Sequence, residues 1–255
     1  MFSGCCELTT FYSDLGSLGN GSSMFEGCEK LATFASDSNG SPVNLGFLTN
    51  GGFMFYNCKN LSTFNSDLSS LTTGGGMFSG CESLSTFKSD DLSSLTAGSS
   101  MFCNCFSLTT FTSNLSKLTN GYNMFRNCSD LISFTSDLLS LTDGESMFYG
   151  CSKLSEFSAD FGASVGRKKI DGTRMFYSCK SLTQFNNDLS YFEVGCEMFY
   201  NCTSLTTFDC DLSSLTDGTN MFYCCTSLTT FNSDLTSLAD GTGMFYGCAL
   251  NKDSV

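Results

Sequence analysis

Carboxylates recur in this sequence at a spacing that could support chemistry. Asp67, Asp137, Asp188, Asp211 and Asp234 each follow a Phe by three residues. Such a file could supply an acid and base pair for polysaccharide hydrolysis or oxygen ligands for Ca²⁺. Strict repetition instead favours a structural role, because an active site needs particular carboxylates with perturbed pKa values. We therefore predict that these five aspartates cap the turns that follow them, and we expect no catalytic residue, metal site or cofactor.

Cysteine is the second candidate for chemistry, since the chain has 16 cysteines and no histidine. Eleven of the cysteines lie four residues after a Met-Phe pair, from Cys5 to Cys248. One Cys per unit lacks the paired spacing of a zinc site. If the units pack as helical turns about 8–10 Å apart, neighbouring cysteines exceed the limit of roughly 7 Å for a disulfide. We predict that this cysteine ladder consists of buried free thiols that act as small apolar residues. The remaining cysteines could include a disulfide pair: Cys6, Cys103, Cys196, Cys210 and Cys224.

Composition and charge narrow the possible partners. The net charge of -13 disfavours binding to nucleic-acid phosphates. No apolar run approaches the length of a membrane-spanning helix. Met1 already opens a repeat, which leaves no room for a signal peptide, so we expect export to need either further sequence beyond these residues or another route.

A tandem repeat must position these side chains. Each unit opens with Met-Phe, and the unit Met198–Asn220 reads MFYNCTSLTTFDCDLSSLTDGTN. Most of the units share this length, and three longer units open at Met24, Met77 and Met147. We predict one solenoid domain over residues 1–255, with insertions at 38–53 and 161–174 and a half-unit at 244–255.

The residue pattern within a unit predicts one helical turn and one strand. Met198, Cys202 and Leu205 at i, i+4 and i+7 form the apolar stripe of a short helix. A Ser or Asn often precedes the Met as a candidate N-cap, at Ser23, Ser100, Asn123, Ser146 and Asn220. The following Thr-Thr-Phe segment favours a strand. The predicted fold is an α/β solenoid of ten to eleven units, with one parallel sheet and short helical turns opposite it.

The two insertions offer candidate ligand-binding residues. The first holds Phe47 and Phe53, which we expect to be exposed. The second holds a cluster of basic residues on an acidic protein: Arg167, Lys168, Lys169 and Arg174. This cluster could bind an anionic glycan, a phosphate-bearing polymer or an acidic protein surface. A solvated loop without a ligand explains the same residues equally well.

A tyrosine recurs two residues after the Met in the later units. The predicted binding residues are Tyr149, Tyr177, Tyr200 and Tyr223, and Tyr246 continues the series. On a helical turn this offset points away from the buried Met, which would give an exposed aromatic stripe suited to carbohydrate or protein. The alternative is that the rings cover neighbouring turns.

The unit resembles the BspA-like, or Treponema-type, leucine-rich repeat, which reads roughly A-F-x-x-C-x-x-L-x-x-I-x-I-P-x-x-V-x-x-I-x-x-G. Met replaces the Ala, Phe208 replaces the first Ile and Asp211 replaces the Pro. The Asp-for-Pro change is systematic and indicates a distinct branch of the family. This branch resembles the Met-Phe-x-x-Cys repeats of bacterial and phage surface proteins. The resemblance covers nearly the whole chain. It implies extracellular, cell-surface or virion-surface proteins that bind and adhere, with no shared catalytic residues.

The favoured hypothesis is a non-enzymatic recognition or adhesion module that binds a protein or glycan surface through its repeat faces and insertion loops. An alternative is a structural solenoid that stacks end to end on itself or on a partner. The outward-facing threonines of successive strands also fit ice binding. The next outward-facing row of strand residues is too mixed in residue type to continue a flat threonine lattice. A solenoid enzyme acting on polysaccharides is a further, weaker alternative.

Overall fold

A computed structural model describes residues 1–89, 91–162 and 169–250 and shows a solenoid built from short parallel strands. The strands are β1 (Thr10–Tyr12), β2 (Thr33–Ala35), β3 (Thr63–Phe64), β4 (Thr86–Phe87), β5 (Thr110–Phe111), β6 (Ser133–Thr135), β7 (Glu156–Ser158), β8 (Ile170–Asp171), β9 (Gln184–Phe185), β10 (Phe192–Val194), β11 (Thr207–Phe208) and β12 (Thr230–Phe231). Every pairing between them is parallel, so the predicted leucine-rich repeat solenoid with parallel strands is confirmed.

All strands except β8 and β10 form one file along the solenoid, and within each hydrogen-bonded group a residue pairs with the equivalent residue of the next unit. Phe111, for example, lies in register with Phe134. Hydrogen-bonded groups are β1-β2, β3-β4, β5-β6-β7 and β9-β11-β12. The three interruptions fall in the three longer units, which open at Met24, Met77 and Met147. Extra residues therefore break the strand ladder locally while the register of the repeat continues.

The Met-Phe segment is a turn, and the predicted short helical turns are wrong. No helix occurs in the described ranges. The Phe102 N–H donates to the carbonyl of Met124 in the next unit at 2.8 Å, and equivalent bonds recur along the stack. The residues just before and three after each Met have positive φ, as at Ser100 (57°) and Asn104 (60°). Such left-handed residues cannot continue a right-handed helix.

The five predicted N-caps share this left-handed conformation, with φ between 53° and 57°: Ser23, Ser100, Asn123, Ser146 and Asn220. They precede a turn that pairs with its neighbour by backbone hydrogen bonds. The i, i+4, i+7 spacing has another origin, since Met, Phe, Cys and Leu all point inward at successive bends of the coil. Met101, Phe102, Cys105 and Leu108 are each fully buried.

The predicted number of units is not supported either, because the solenoid makes about nine turns instead of ten to eleven. Ten strands form the file that contains the repeated Thr-Phe pair, and nine steps separate ten strands. Counting Met-Phe openings overestimates the number of turns, since it includes both ends of the stack.

Two files of phenylalanine rings fill the core. Phe125, from a Met-Phe pair, stacks between Phe102 at 5.3 Å and Phe148 at 5.4 Å. The strand residues Phe111 and Phe134 meet the same ring edge to face at 4.8 and 5.5 Å. The same arrangement continues from Phe2 to Phe245. These are the offset and edge-on contacts that aromatic rings prefer.

A glycine lies three residues before each Met from the second unit onward, and the structure shows why no side chain fits there. A Cβ at Gly51 would lie 2.7 Å from the Sδ of Met77, and one at Gly74 would lie 3.0 Å from the Sδ of Met101. Neither glycine has a positive φ. The methionine of the next Met-Phe turn along the stack therefore occupies the space that a side chain would need.

Replacing Ser100 by glycine is expected to raise the free energy of unfolding by about 0.5–1 kcal/mol. A non-glycine residue in the left-handed region costs roughly 1–2 kcal/mol, and relief of this cost outweighs the extra entropy that glycine loses on folding. Gly76 and Gly243 occupy the equivalent position in other units. Urea unfolding of Ser100→Gly measures the effect. The control Ser99→Gly, at a residue without positive φ, should destabilise, and equal effects of the two variants would contradict the explanation.

Candidate functional site

The tyrosines of successive units form a stacked column, here called the tyrosine column, of Tyr149, Tyr177, Tyr200, Tyr223 and Tyr246. Consecutive ring centroids are 4.6, 4.6, 4.8 and 4.7 Å apart, and the first three pairs lie within 9° of parallel. The rings stack because each unit places its tyrosine directly beside the previous one. The first four side chains are half-buried, and Tyr246 at the end is 64% exposed.

Stacking decides which parts of the tyrosines face solvent. The faces of the inner rings cover each other, so their edges and hydroxyls form the accessible surface. None of these hydroxyls bonds to another described residue, and none is a buried polar atom without a partner. Burial raises the pKa of the Tyr177 phenol, and the neighbouring Tyr149 and Tyr200 add to the effect. Burial also raises the pKa of the Tyr223 phenol.

Two arginines lie at the Tyr149 end of the column. The Arg126 guanidinium carbon lies 4.2 Å from the Tyr149 ring centroid, within the range of a cation–π contact. The Arg174 Nε donates to Glu197 Oε2 at 2.6 Å, and this carboxylate raises the pKa of Arg174. Arg126, Tyr149, Arg174, Tyr177 and Glu197 together line a depression of about 330 Å³.

The structure brings three of the predicted binding residues to this depression, namely Tyr149, Arg174 and Tyr177. Sequence reasoning missed Arg126 and Glu197. Each lies one repeat period from the partner it meets, Tyr149 and Arg174 respectively, so the repeat period was the available signal.

The remaining predicted binding residues lie elsewhere. Lys169 is exposed and forms an ion pair with Glu193. Arg167 and Lys168 lie outside the described residues, so the basic cluster stays a prediction. Phe47 is 70% exposed and Phe53 is 50% exposed. Phe53 contacts the ring of Tyr56 edge to face at 5.7 Å, away from the depression.

The repeated aspartates accept hydrogen bonds from the backbone. Four of them bond the N–H two residues ahead at 2.8–2.9 Å: Asp67, Asp188, Asp211 and Asp234. Asp137 differs, since it accepts from the Asp160 N–H in the next unit at 3.2 Å. Among the described residues no group of His, Cys, Asp or Glu is arranged to hold a metal ion.

Sequence reasoning missed a second file of Asx turns. Its members accept the N–H two residues ahead and lie four residues before the Met: Asn20, Asn50, Asn120, Asp143, Asp171, Asp217 and Asp240. The signal was the Asx-Gly pair, which is typical of turns. The repeated aspartates and this second file of Asx residues therefore both stabilise turns of the coil.

The cysteine ladder is free and buried except at its two ends, as predicted, and none of the other described cysteines is paired either. The predicted helix-to-helix spacing between units is wrong, because the Met-Phe turns hydrogen-bond directly to one another. The thiols also do more than fill space. The Cys128 Sγ donates to the Phe102 carbonyl of the preceding unit at 3.1 Å. Every other ladder cysteine from Cys28 onward donates to the carbonyl of the corresponding Met-Phe phenylalanine in the unit before its own. Each of these thiols therefore links its unit to the backbone of the unit before it.

Burial makes these thiols very weak acids. It raises the pKa of Cys58 and of Cys202 to about 12, and it raises the pKa of Cys128 well above its usual value. A thiol whose pKa is higher in the folded state stabilises the fold below its unfolded pKa of about 8.5, and this stabilisation is lost as pH rises towards the folded pKa.

We therefore expect the fold to weaken by about 0.7 kcal/mol per buried ladder thiol between pH 8 and pH 9. Urea unfolding in reducing buffer at both pH values measures the total. The variant Cys128→Ala should lose about 0.7 kcal/mol less than the wild type over this interval, whatever its stability at pH 8. Cys5→Ala, at an exposed ladder position, should behave like the wild type. Equal pH dependence in all three proteins would show that the buried thiols do not control alkaline stability.

The stacked coils define the class of this protein as a leucine-rich repeat solenoid. The chain belongs to the family of the BspA type leucine rich repeat region, whose model matches six copies over residues 49–167 and 167–254. Proteins of this family are typically non-enzymatic, and they are typically surface or protein-binding proteins. No described segment forms a helix that could span a membrane.

Several solved structures are similar to the chain. A leucine-rich repeat protein from Bacteroides ovatus is 19% identical over 91% of this chain and 69% of its own, with a TM-score of 0.45. A leucine rich cell surface protein from Faecalibacterium prausnitzii is 18% identical over 91% and 82%, with a TM-score of 0.38. TLR13, in a complex with ssRNA13, is 17% identical over 78% of this chain and 35% of its own, also with a TM-score of 0.38. The curated proteins include no match to the sequence.

Proposed function

We propose that this protein is a non-enzymatic recognition module, displayed on a cell or virion surface, that binds a protein partner through the tyrosine column and its two arginines. The observation that carries the proposal is the stacked row of five tyrosines beside Arg126 and Arg174. Tyrosine and arginine are the residues most enriched in protein-binding hot spots, together with tryptophan.

The shape of the column favours a protein over a carbohydrate. A sugar ring binds by lying flat on an aromatic face, and the inner faces are already covered by neighbouring rings. Ring edges, hydroxyls and guanidinium groups suit a polar protein surface better. Stacking also fixes the rings before binding, which lowers the entropy cost of association.

In our proposal the insertions supply further contact surfaces apart from the tyrosine column. Phe47 and Phe53 are exposed aromatic anchors, and Arg167, Lys168 and Lys169 add positive charge to an acidic protein. Repetition of one surface over several units suits a partner that is itself repetitive, since several weak contacts then act together. The net charge of -13 opposes nucleic acid as the partner.

The test is binding of the purified chain to a panel of immobilised cell-surface and extracellular-matrix proteins and, separately, to a glycan array. We expect a protein binder whose affinity falls at least about tenfold for Tyr177→Ser/Tyr200→Ser and for Arg126→Ser/Arg174→Ser. The matched control is Tyr12→Ser/Tyr122→Ser, because both tyrosines are exposed and lie outside the column. Binders that lose no affinity in the column variants, or binders found only among glycans, would overturn the proposal.

A further inference from the structure

We propose that the tyrosine column is a site of oxidative cross-linking, at which a haem peroxidase and hydrogen peroxide join neighbouring tyrosines of one chain through a carbon–carbon bond. Cross-linking depends on the geometry and accessibility of the rings and not on the binding proposed above. The product is an intramolecular dityrosine that connects consecutive units.

The first requirement is that two phenol rings meet often in a suitable orientation. Tyr177 and Tyr200 are stacked at 4.6 Å with 4° between their planes, and Tyr200 and Tyr223 at 4.8 Å with 3°. The backbone holds these residues side by side, because the Ser178 N–H donates to the Tyr200 carbonyl at 2.8 Å. Fixing two reactants next to each other replaces a bimolecular encounter by an effectively unimolecular step.

The second requirement is access for the oxidant. The four inner side chains are half-buried and Tyr246 is 64% exposed. Their hydroxyls bond to no other described residue and are not enclosed, so a phenolic proton can leave to solvent. The cation over Tyr149 opposes removal of an electron from that ring. Coupling should therefore favour the pairs away from Arg126.

The cross-link forms by oxidation of two phenols and coupling of their rings. Each of two tyrosines loses one electron to the peroxidase and one proton to water, which gives two phenoxyl radicals. The radicals form a bond between the ring carbons next to the oxygens. Each ring then becomes aromatic again when the hydrogen on that carbon transfers through water to the oxygen. The two electrons and two protons convert one hydrogen peroxide into two water molecules, and the protein loses two hydrogen atoms for each link.

Three other tyrosines serve as internal references. No tyrosine ring stacks on Tyr12, Tyr56 or Tyr122 in the described part of the chain, although Tyr12 and Tyr122 are exposed. Accessibility without a neighbouring phenol should give no intramolecular link. The column thus differs from the rest of the surface by geometry, and this difference can be measured.

The experiment treats the dilute protein with a haem peroxidase and hydrogen peroxide after alkylation of the accessible thiols. Dityrosine fluorescence follows the reaction, and a denaturing gel separates links within one chain from links between chains. Digestion at aspartate residues separates every pair of column tyrosines, since Asp171, Asp188, Asp217 and Asp240 each lie between two of them. We expect monomeric protein that contains column peptides joined in pairs, each pair lighter by two hydrogen atoms.

The decisive variant is Tyr177→Phe/Tyr223→Phe, which keeps five stacked rings and leaves no two adjacent phenols. It should reduce the intramolecular dityrosine at least about tenfold, with an unchanged circular dichroism spectrum. The control Tyr12→Phe/Tyr122→Phe should react like the wild type. Absence of links in the wild type, links only between chains, or an undiminished yield in Tyr177→Phe/Tyr223→Phe would each overturn the proposal.

Discussion

Replacing Phe125 by alanine is expected to lower the free energy of unfolding by about 3–5 kcal/mol, a large share of the stability of an ordinary domain. Phe125 is fully buried and touches four other rings, two in its own file and two in the strand file. Its loss removes both stacking contacts in its file and leaves a cavity in the middle of the stack. Since each unit contacts only its neighbours, the cavity also weakens the coupling between the two halves.

Urea unfolding followed by circular dichroism measures this effect. Beyond the lower stability, we expect a broader or two-step transition, because the halves on either side of the cavity can unfold separately. Phe106→Ala is the matched control, since Phe106 is 40% exposed and should change stability by less than about 0.5 kcal/mol. A loss below about 1 kcal/mol for Phe125→Ala would mean that the ring files do not hold the solenoid together.

The second large effect concerns the glycine and methionine that meet between units. Gly51→Ala is expected to cost about 1–3 kcal/mol by overpacking, because the new Cβ would lie 2.7 Å from Met77 Sδ and 3.2 Å from Leu71 Cδ1. Met77→Ala is expected to cost about 2–5 kcal/mol, because it empties a fully buried site.

The double variant Gly51→Ala/Met77→Ala tests whether these two positions interact. The added methyl group enters space that the methionine has left, so the double variant should be more stable than the sum of the single effects by at least about 1 kcal/mol. Gly51→Ala combined with Met124→Ala, which lies two units beyond Met77, is the control and should be additive. Additivity in both pairs would contradict the contact that explains the repeated glycine.

Periodicity made the register of the strands predictable. Once the Phe of one unit is assigned to a strand, a constant period places every other Phe in the same file, and Phe111 opposite Phe134 follows directly. The secondary structure of the Met-Phe segment did not follow, because a polygonal coil and a helix can share the spacing i, i+4, i+7. The types of the flanking residues carried the missing information. Asn57, Gly80, Asn104 and Asn127 all lie three residues after the Met and are the types that tolerate positive φ.

The candidate site was predictable in part for the same reason. The tyrosines had to lie in one file, whatever the local conformation. Their stacking depends on centroid distances such as 4.6 Å, which are shorter than the spacing of about 8–10 Å expected between helical turns. Arg174 was grouped with its sequence neighbours Arg167 and Lys168, whereas its ion pair is with Glu197, one unit further along. Residues one period apart are therefore neighbours in this fold.

The backbone pairing of the Met-Phe turns also has a consequence for how the chain folds. Phe102 donates to Met124, and Phe125 donates to Met147, so these bonds close segments of about one unit. No unit can form them alone, and the first pair of coils must be nucleated against the full entropy of closing such a loop. High contact order of this kind predicts slow initiation. Each later coil then adds to an existing template, so elongation should be fast and should proceed outward from the nucleus.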